Sequence, residues 1–178
     1  GAYAVITGEN AGFYVGVVLE YAVPAAAAAP SRTVVLREGG ASAKMGVGFI
    51  GAGNFARTML LPNLKLPDVE LVAVASATGL SGKDTAAKFG FRYCTTDYTE
   101  LLRDDAVDTV LIATRHDLHG KLVCEAVEAG KHVYTEKPLC LNEDELARIR
   151  EAYGRSIDAG GKGILTVGFN RRYAPLVR

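Results

Sequence analysis

The stretch Val47-Gly48-Phe49-Ile50-Gly51-Ala52-Gly53-Asn54-Phe55-Ala56 decides the fold. Its first four residues form an apolar run of strand length, and the segment from Asn54 to Lys65 reads as a helix that Pro62 should kink or shorten. Between them lies a GxGxxA turn. Gly51 permits the tight turn, Gly53 lets the backbone come close to a bound group, and Ala56 is small enough for helix and strand to touch. The free N–H groups at the start of the helix aim at the same place and favour phosphate oxygens. A glycine-rich turn by itself is also ordinary structural punctuation. Set between a strand and a helix, and followed by further β-α units, it reads as a dinucleotide-binding turn. Gly51, Gly53, Asn54 and Phe55 are the candidate contacts.

Downstream, strand and helix signals keep alternating. Leu71–Ala75 is a second strand and Ser81–Phe89 a second helix. A short segment at Arg92–Thr95 precedes a helix over Asp97–Leu102. Thr109–Ala113 is continuously apolar, as in strands buried on both faces. Leu118, Leu122, Ala126 and Ala129 share one helix face, closed by Gly130. His132–Thr135 is the next strand. Asn142 and Glu145 form a capping box, and Leu146, Ile149 and Tyr153 continue that helix. Ile164–Val167 is the last strand. This succession predicts an α/β fold, a doubly wound, mostly parallel Rossmann sheet.

Upstream the sequence changes character. Ala2–Gly8 reads as a helix end closed by glycine, and Val15–Leu19 as a strand. Two such pieces cannot bury a core, so residues 1–21 read as the tail of a preceding domain. Residues 22–44 hold Pro24, five alanines, Pro30 and Gly39-Gly40, and read as a linker. A helix through Ala25–Ala29 is the alternative there, and Arg32–Leu36 has the makings of a short strand. The domain proper is then 45–178, with the N-terminal extension and linker before it.

The bulk properties narrow the function classes. The 178 residues are 49% hydrophobic, enough for a real core, and the formal net charge of zero gives no support for nucleic-acid or membrane-surface attraction. Cys94, Cys124 and Cys140 are widely spaced, which suits reduced thiols better than disulfides or zinc. No run suits a membrane span, and the start does not read as a signal peptide. A cytoplasmic location is the default. His116, His119 and Cys124 lack a convincing fourth ligand, so no metal is expected.

NAD-preferring sites place a carboxylate about 20 residues after the glycine turn, at the end of the second strand. Here that place is Ala75-Ser76-Ala77-Thr78-Gly79. Ser76 and Thr78 are able to bond a ribose or a 2′-phosphate, and Lys83 adds positive charge nearby. The cofactor reading is therefore NADP or NAD, tilted towards NADP. Lys137, just past the strand at His132–Thr135, stands where α/β ligands bind and where an ammonium can hold a substrate oxygen and move its proton. On spacing alone, a solvated lysine beside a proline turn explains it better.

The run from Val47 to Tyr173 resembles the glucose-fructose oxidoreductase / inositol dehydrogenase / rhizopine catabolism protein family. The resemblance rests on GFIGAGNFA, VDTVLIATRHDLH, AGKHVYTEKPL and VGFNRRYAP. It implies that Lys137 is the catalytic lysine near the nicotinamide, that Glu136 and Pro138 complete its motif, and that the Lys137–Pro138 peptide is cis. It implies that Thr114 and His119 belong to a cofactor-facing turn, although Arg115-His116 replaces the family's usual Pro-Asn. Asn170 and Arg171 match the stretch near the nicotinamide that leads into a second domain. That domain carries an Asp and a His in relatives, and lies beyond Arg178. The implied substrate is a small molecule of the sugar or polyol kind, and a homo-oligomer would form through the second domain. The 178 residues alone should bind cofactor weakly and not turn over. Residues 2–8 with GVVLEY resemble the tail of a medium-chain alcohol-dehydrogenase-like domain, as in bi-domain oxidoreductases. A non-catalytic NAD(P)-binding regulatory or redox-sensing module is the alternative.

Overall fold

Apolar runs alternating with amphipathic stretches are buried best in a parallel sheet covered on both faces. The computed structural model describes residues 31–40 and 43–176, and the fold is that of one unit, Arg32–Arg178. Strands β1 (Thr33–Val35), β2 (Met45–Ile50), β3 (Val69–Ala75), β4 (Tyr93–Thr95), β5 (Thr109–Ile112), β6 (His132–Glu136) and β7 (Leu165–Gly168) form one sheet in the order β1-β4-β3-β2-β5-β6-β7. Every pairing is parallel except β1 with β4. From β2 the chain winds outward to β3 and β4, then returns to β5 on the other side of β2. That reversal opens a crevice at the C-terminal end of β2, the usual ligand position of such sheets.

The helical segments are α1 (Ala56–Leu60), α2 (Gly79–Phe89), α3 (Tyr98–Arg103), α4 (His119–Glu128) and α5 (Glu143–Asp158). One core cluster gathers Val110, Ile112, Leu101, Leu122, Val123, Ala126 and Ile149 under α3, α4 and α5. The other gathers Val47, Phe49, Val74, Leu111, Ala56, Leu61, Ala86 and Phe91 under α1 and α2. The continuous apolar runs of β2 and β5 are therefore covered on both faces, as expected. The Asn142 cap forms as expected, with the reciprocal arm shifted one residue earlier: Asn142 Oδ1 accepts from Glu145 N at 2.9 Å. The Glu145 carboxylate reaches back to Leu141 N at 2.9 Å.

One expectation changes. The first helix is not a regular run to Lys65. After Asn54 and Phe55 it widens into a π-helical turn over Ala56–Leu60 and then tightens to a 3-10 turn at Leu61–Asn63. Pro62 has no N–H to offer the fourth carbonyl back and its ring crowds that carbonyl, so a regular helix cannot pass through it. Residues 22–44 also hold a strand of the sheet, within the stretch Arg32–Leu36 that had the makings of one. Thr33–Val35 pair antiparallel with Tyr93–Thr95, because strand β4 would otherwise leave its outer edge unpaired. The readings of residues 1–30 lie outside the described residues.

Candidate functional site

The glycine turn is held by the neighbouring strands. Gly51 N donates to Ala75 O at 2.9 Å. Gly51 has φ +106°, and a Cβ there would stand 2.5 Å from Ala113 O. Only glycine fits without moving backbone. At Gly53 a Cβ would meet nothing within 4 Å; its Cα face is open to a ligand. The first hydrogen bond of the helix runs from Arg57 N to Gly53 O at 3.1 Å. The N–H groups of residues 54–56 precede it and have no intrahelical acceptor. Ala56 is fully buried, as its close-packing role requires.

These residues line a cleft of about 740 Å³ that opens at the C-terminal ends of β2, β3 and β5. Gly51, Gly53, Asn54 and Phe55 form one wall, Ser76 and Thr78 a second, and Thr114 and Arg115 a third. Sequence reading missed several other lining residues. Tyr98, Leu118 and Leu122 give the cleft an apolar end, with Lys121 beside them. Ser81 joins the Ser76 wall: its Oγ lies 2.8 Å from Ser76 Oγ and 2.6 Å from Thr78 Oγ1. The spacing of Thr78 and Ser81, three residues apart at a helix start, was the available signal. Leu118 and Leu122 were legible only as one helix face, and Tyr98 had no signal, because it reaches the cleft from a separate helix.

Lys83 does not join them. It is exposed on α2 and outside the cleft lining, two residues beyond Ser81 and so turned to another side of the helix. His119 does not face the cofactor cleft either. It is fully buried, with Nδ1 2.7 Å from Pro138 O and Nε2 3.2 Å from Thr114 O. Its position in the first turn of α4 aims the ring into the protein. His116 meets it edge-on, with 5.7 Å between ring centroids. No group of three metal-ligating side chains occurs among the described residues.

Lys137 and Asn170 line a second concavity of about 560 Å³, together with Gly168, Phe169, Arg171 and Arg172. The Lys137–Pro138 peptide is cis. Lys137 is exposed, and nothing among the described residues bonds its Nζ. Beneath it Glu136 is buried. Glu136 Oε1 accepts from Tyr134 Oη at 2.9 Å and Oε2 from Lys137 N at 3.3 Å. Tyr134 and Glu136 alternate with Thr135 along β6, so they share one face. Burial and then the Glu136 carboxylate push the Tyr134 phenol up to about 12. Gly168 leaves room for this pair, since a Cβ there would stand 2.5 Å from Tyr134 Oη.

Apart from Lys83, the predicted residues separate into two places. One is a backbone-walled cleft suited to a pyrophosphate and its nucleoside. The other is a lysine on a braced strand end, with Glu136, Pro138 and His119 supporting it from below. The fold and cleft define an α/β dinucleotide-binding domain. Residues 45–156 match the family model described as "Oxidoreductase family, NAD-binding Rossmann fold". The chain belongs to that family.

Relatives agree. The chain is 31% identical over 129 residues to "Uncharacterized oxidoreductase YrbE" of Bacillus subtilis, covering 72% of this chain and 36% of that protein. It is 34% identical over 130 residues to "Myo-inositol 2-dehydrogenase" of Thermotoga maritima, covering 72% and 37%. Among solved structures, the 3-ketoreductase KijD10 of Actinomadura kijaniata, in complex with NADP and TDP-benzene, aligns with a TM-score of 0.66 at 29% identity, over 75% of this chain and 40% of that one. GenD2 from gentamicin A biosynthesis, in complex with NAD, aligns with a TM-score of 0.66 at 30% identity, over 80% and 39%. The chain spans between 34% and 40% of the length of the first curated relatives it matches.

Proposed function

We propose that this chain is the nucleotide-binding part of an NAD(P)-dependent oxidoreductase that moves a hydride to or from a sugar, polyol or related hydroxyl or carbonyl compound. The observation that carries the reading is Lys137: an ammonium with no partner among the described residues, at the sheet edge that bears the nucleotide cleft, on a strand end braced by Glu136. When bound, the nicotinamide supplies or accepts the hydride. Lys137 holds the substrate oxygen. Its neutral amine takes the hydroxyl proton as the carbonyl forms, and its ammonium returns that proton in the reverse direction.

The hydroxyl wall of Ser76, Thr78 and Ser81 has no carboxylate to repel a 2′-phosphate, which supports NADP over NAD. Residues 1–21 are proposed as the tail of an alcohol-dehydrogenase-like domain and 22–44 as a linker that carries β1 within it, with the substrate domain following Arg178. The three cysteines, all free, support a reducing, cytoplasmic location.

Calorimetric titration with NADPH and NADH tests the reading directly. Saturable binding, tighter for NADPH by about tenfold, is the expected result. Binding of neither would sink the function. The full-length protein, given NADP with myo-inositol, glucose and related polyols in turn, should then show reduction of cofactor with at least one of them.

A further inference from the structure

His119 opens α4 with its ring wholly buried. It lines neither concavity, so it does not touch a ligand in either. Both of its partners, Pro138 O and Thr114 O, are backbone carbonyls and accept only. A ring carrying one proton satisfies one of them, and the 2.7 Å contact from Nδ1 to Pro138 O is much the shorter. Pro138 directly follows Lys137, while Thr114 lines the nucleotide cleft. One imidazole therefore spans the loops at the ends of β5 and β6.

On its other flank, among the described residues, Lys137 is tied only by the 3.3 Å bond from its N–H to Glu136. With no partner for Nζ among the described residues, the placement of the ammonium depends on its backbone. We propose that His119 is a positioning residue for Lys137, donating from Nδ1 to Pro138 O and so fixing the lysine's height and direction above the nucleotide cleft. The proposal rests on the role given to Lys137 above.

Two substitutions separate the ring's two contacts. The amide nitrogen of His119→Asn falls where Nδ1 stands, and that of His119→Gln where Nε2 stands. In the full-length enzyme, with the best polyol of the panel above, His119→Asn should keep kcat within about threefold, whereas His119→Gln should lower it by about 10²-fold at an unchanged NADPH Kd. Equal kcat values in two variants of matched Tm would overturn the proposal. Should the Gln variant fail to fold, nitrogen-15 NMR of the histidine rings in the unsubstituted chain decides. A proton on Nδ1 supports the assignment, and one on Nε2 alone overturns it. If the wild-type protein binds neither cofactor, the function reading fails, and the ring's protonated nitrogen still decides whether His119 donates to Pro138 O and holds the lysine's backbone.

Discussion

The nucleotide cleft and the lysine concavity sit on the same edge of one sheet yet are built on opposite plans. In the cleft the backbone is the binding surface. Gly51 turns it, Gly53 bares it, and the start of the first helix leaves its N–H groups free. Around Lys137 the backbone is tied down through Glu136 and His119, and one side chain reaches out of the locked frame. The first plan is sensitive to an added methyl group. The second is sensitive to a lost head group, and tolerates it in every property except chemistry.

The largest expected effect follows from that contrast. In the full-length protein, Lys137→Ala should lower turnover by about 10²- to 10⁴-fold, the usual contribution of a positioned acid–base group. Its Tm and NADPH affinity should stay near those of wild type, because the side chain makes no bond among the described residues. Steady-state kinetics beside a binding isotherm would show the split. A mutant with undiminished turnover would point instead to a regulatory or sensing module.

Next in size is a pair of substitutions inside the cleft. Gly51→Ala places a Cβ 2.5 Å from Ala113 O at φ +106°. It should cost about 2 kcal/mol or more of stability through strain alone, visible as a lower Tm. Gly53→Ala adds the same methyl where nothing lies within 4 Å. Its Tm should hardly move, while NADPH binding weakens by about tenfold as the methyl stands between backbone and pyrophosphate. If Gly53→Ala bound cofactor normally, the backbone would not be the binding surface and the comparison would collapse.

How much of this the sequence disclosed depends on how local the physics is. The turn at Gly51–Ala56, the buried strands Val47–Ile50 and Thr109–Ile112, and the Asn142–Glu145 cap are fixed by residues within a few positions of one another. They are found where expected. The pairing of Thr33–Val35 with Tyr93–Thr95 joins two three-residue strands sixty positions apart, and nothing local announces it. Lys83 and His119 were misplaced for a similar reason: their distance along the chain from the motif was right, but their direction was not. Helix phase sends Lys83 outward and His119 inward. Lys137 had a weak local signal, its place just past a strand end, which a solvated lysine explains as well; the string around it singled it out. The bracing pair Tyr134 and Glu136 was legible in principle, since i and i+2 on a strand share a face.

That pair gives the smallest and most discriminating expectation. Tyr134 keeps its proton well above the ordinary tyrosine value of 10.0, up to about 12, through burial and the neighbouring Glu136 carboxylate. The fold thus favours the neutral phenol. Its contribution to stability is complete below pH 10 and is lost as the pH rises through about 12. Tyr134→Phe should remove one phenolate transition near that pH from the absorbance titration and cost about 1 kcal/mol at neutral pH, since the hydroxyl is only half-buried. Its effect on cofactor affinity should be nil, because Tyr134 does not line the cleft. Any effect on kcat should be modest, because His119 still holds the other flank of Lys137. A kcat loss as deep as that of Lys137→Ala would mean the frame hangs from Glu136 rather than from His119, reversing the order of the two braces.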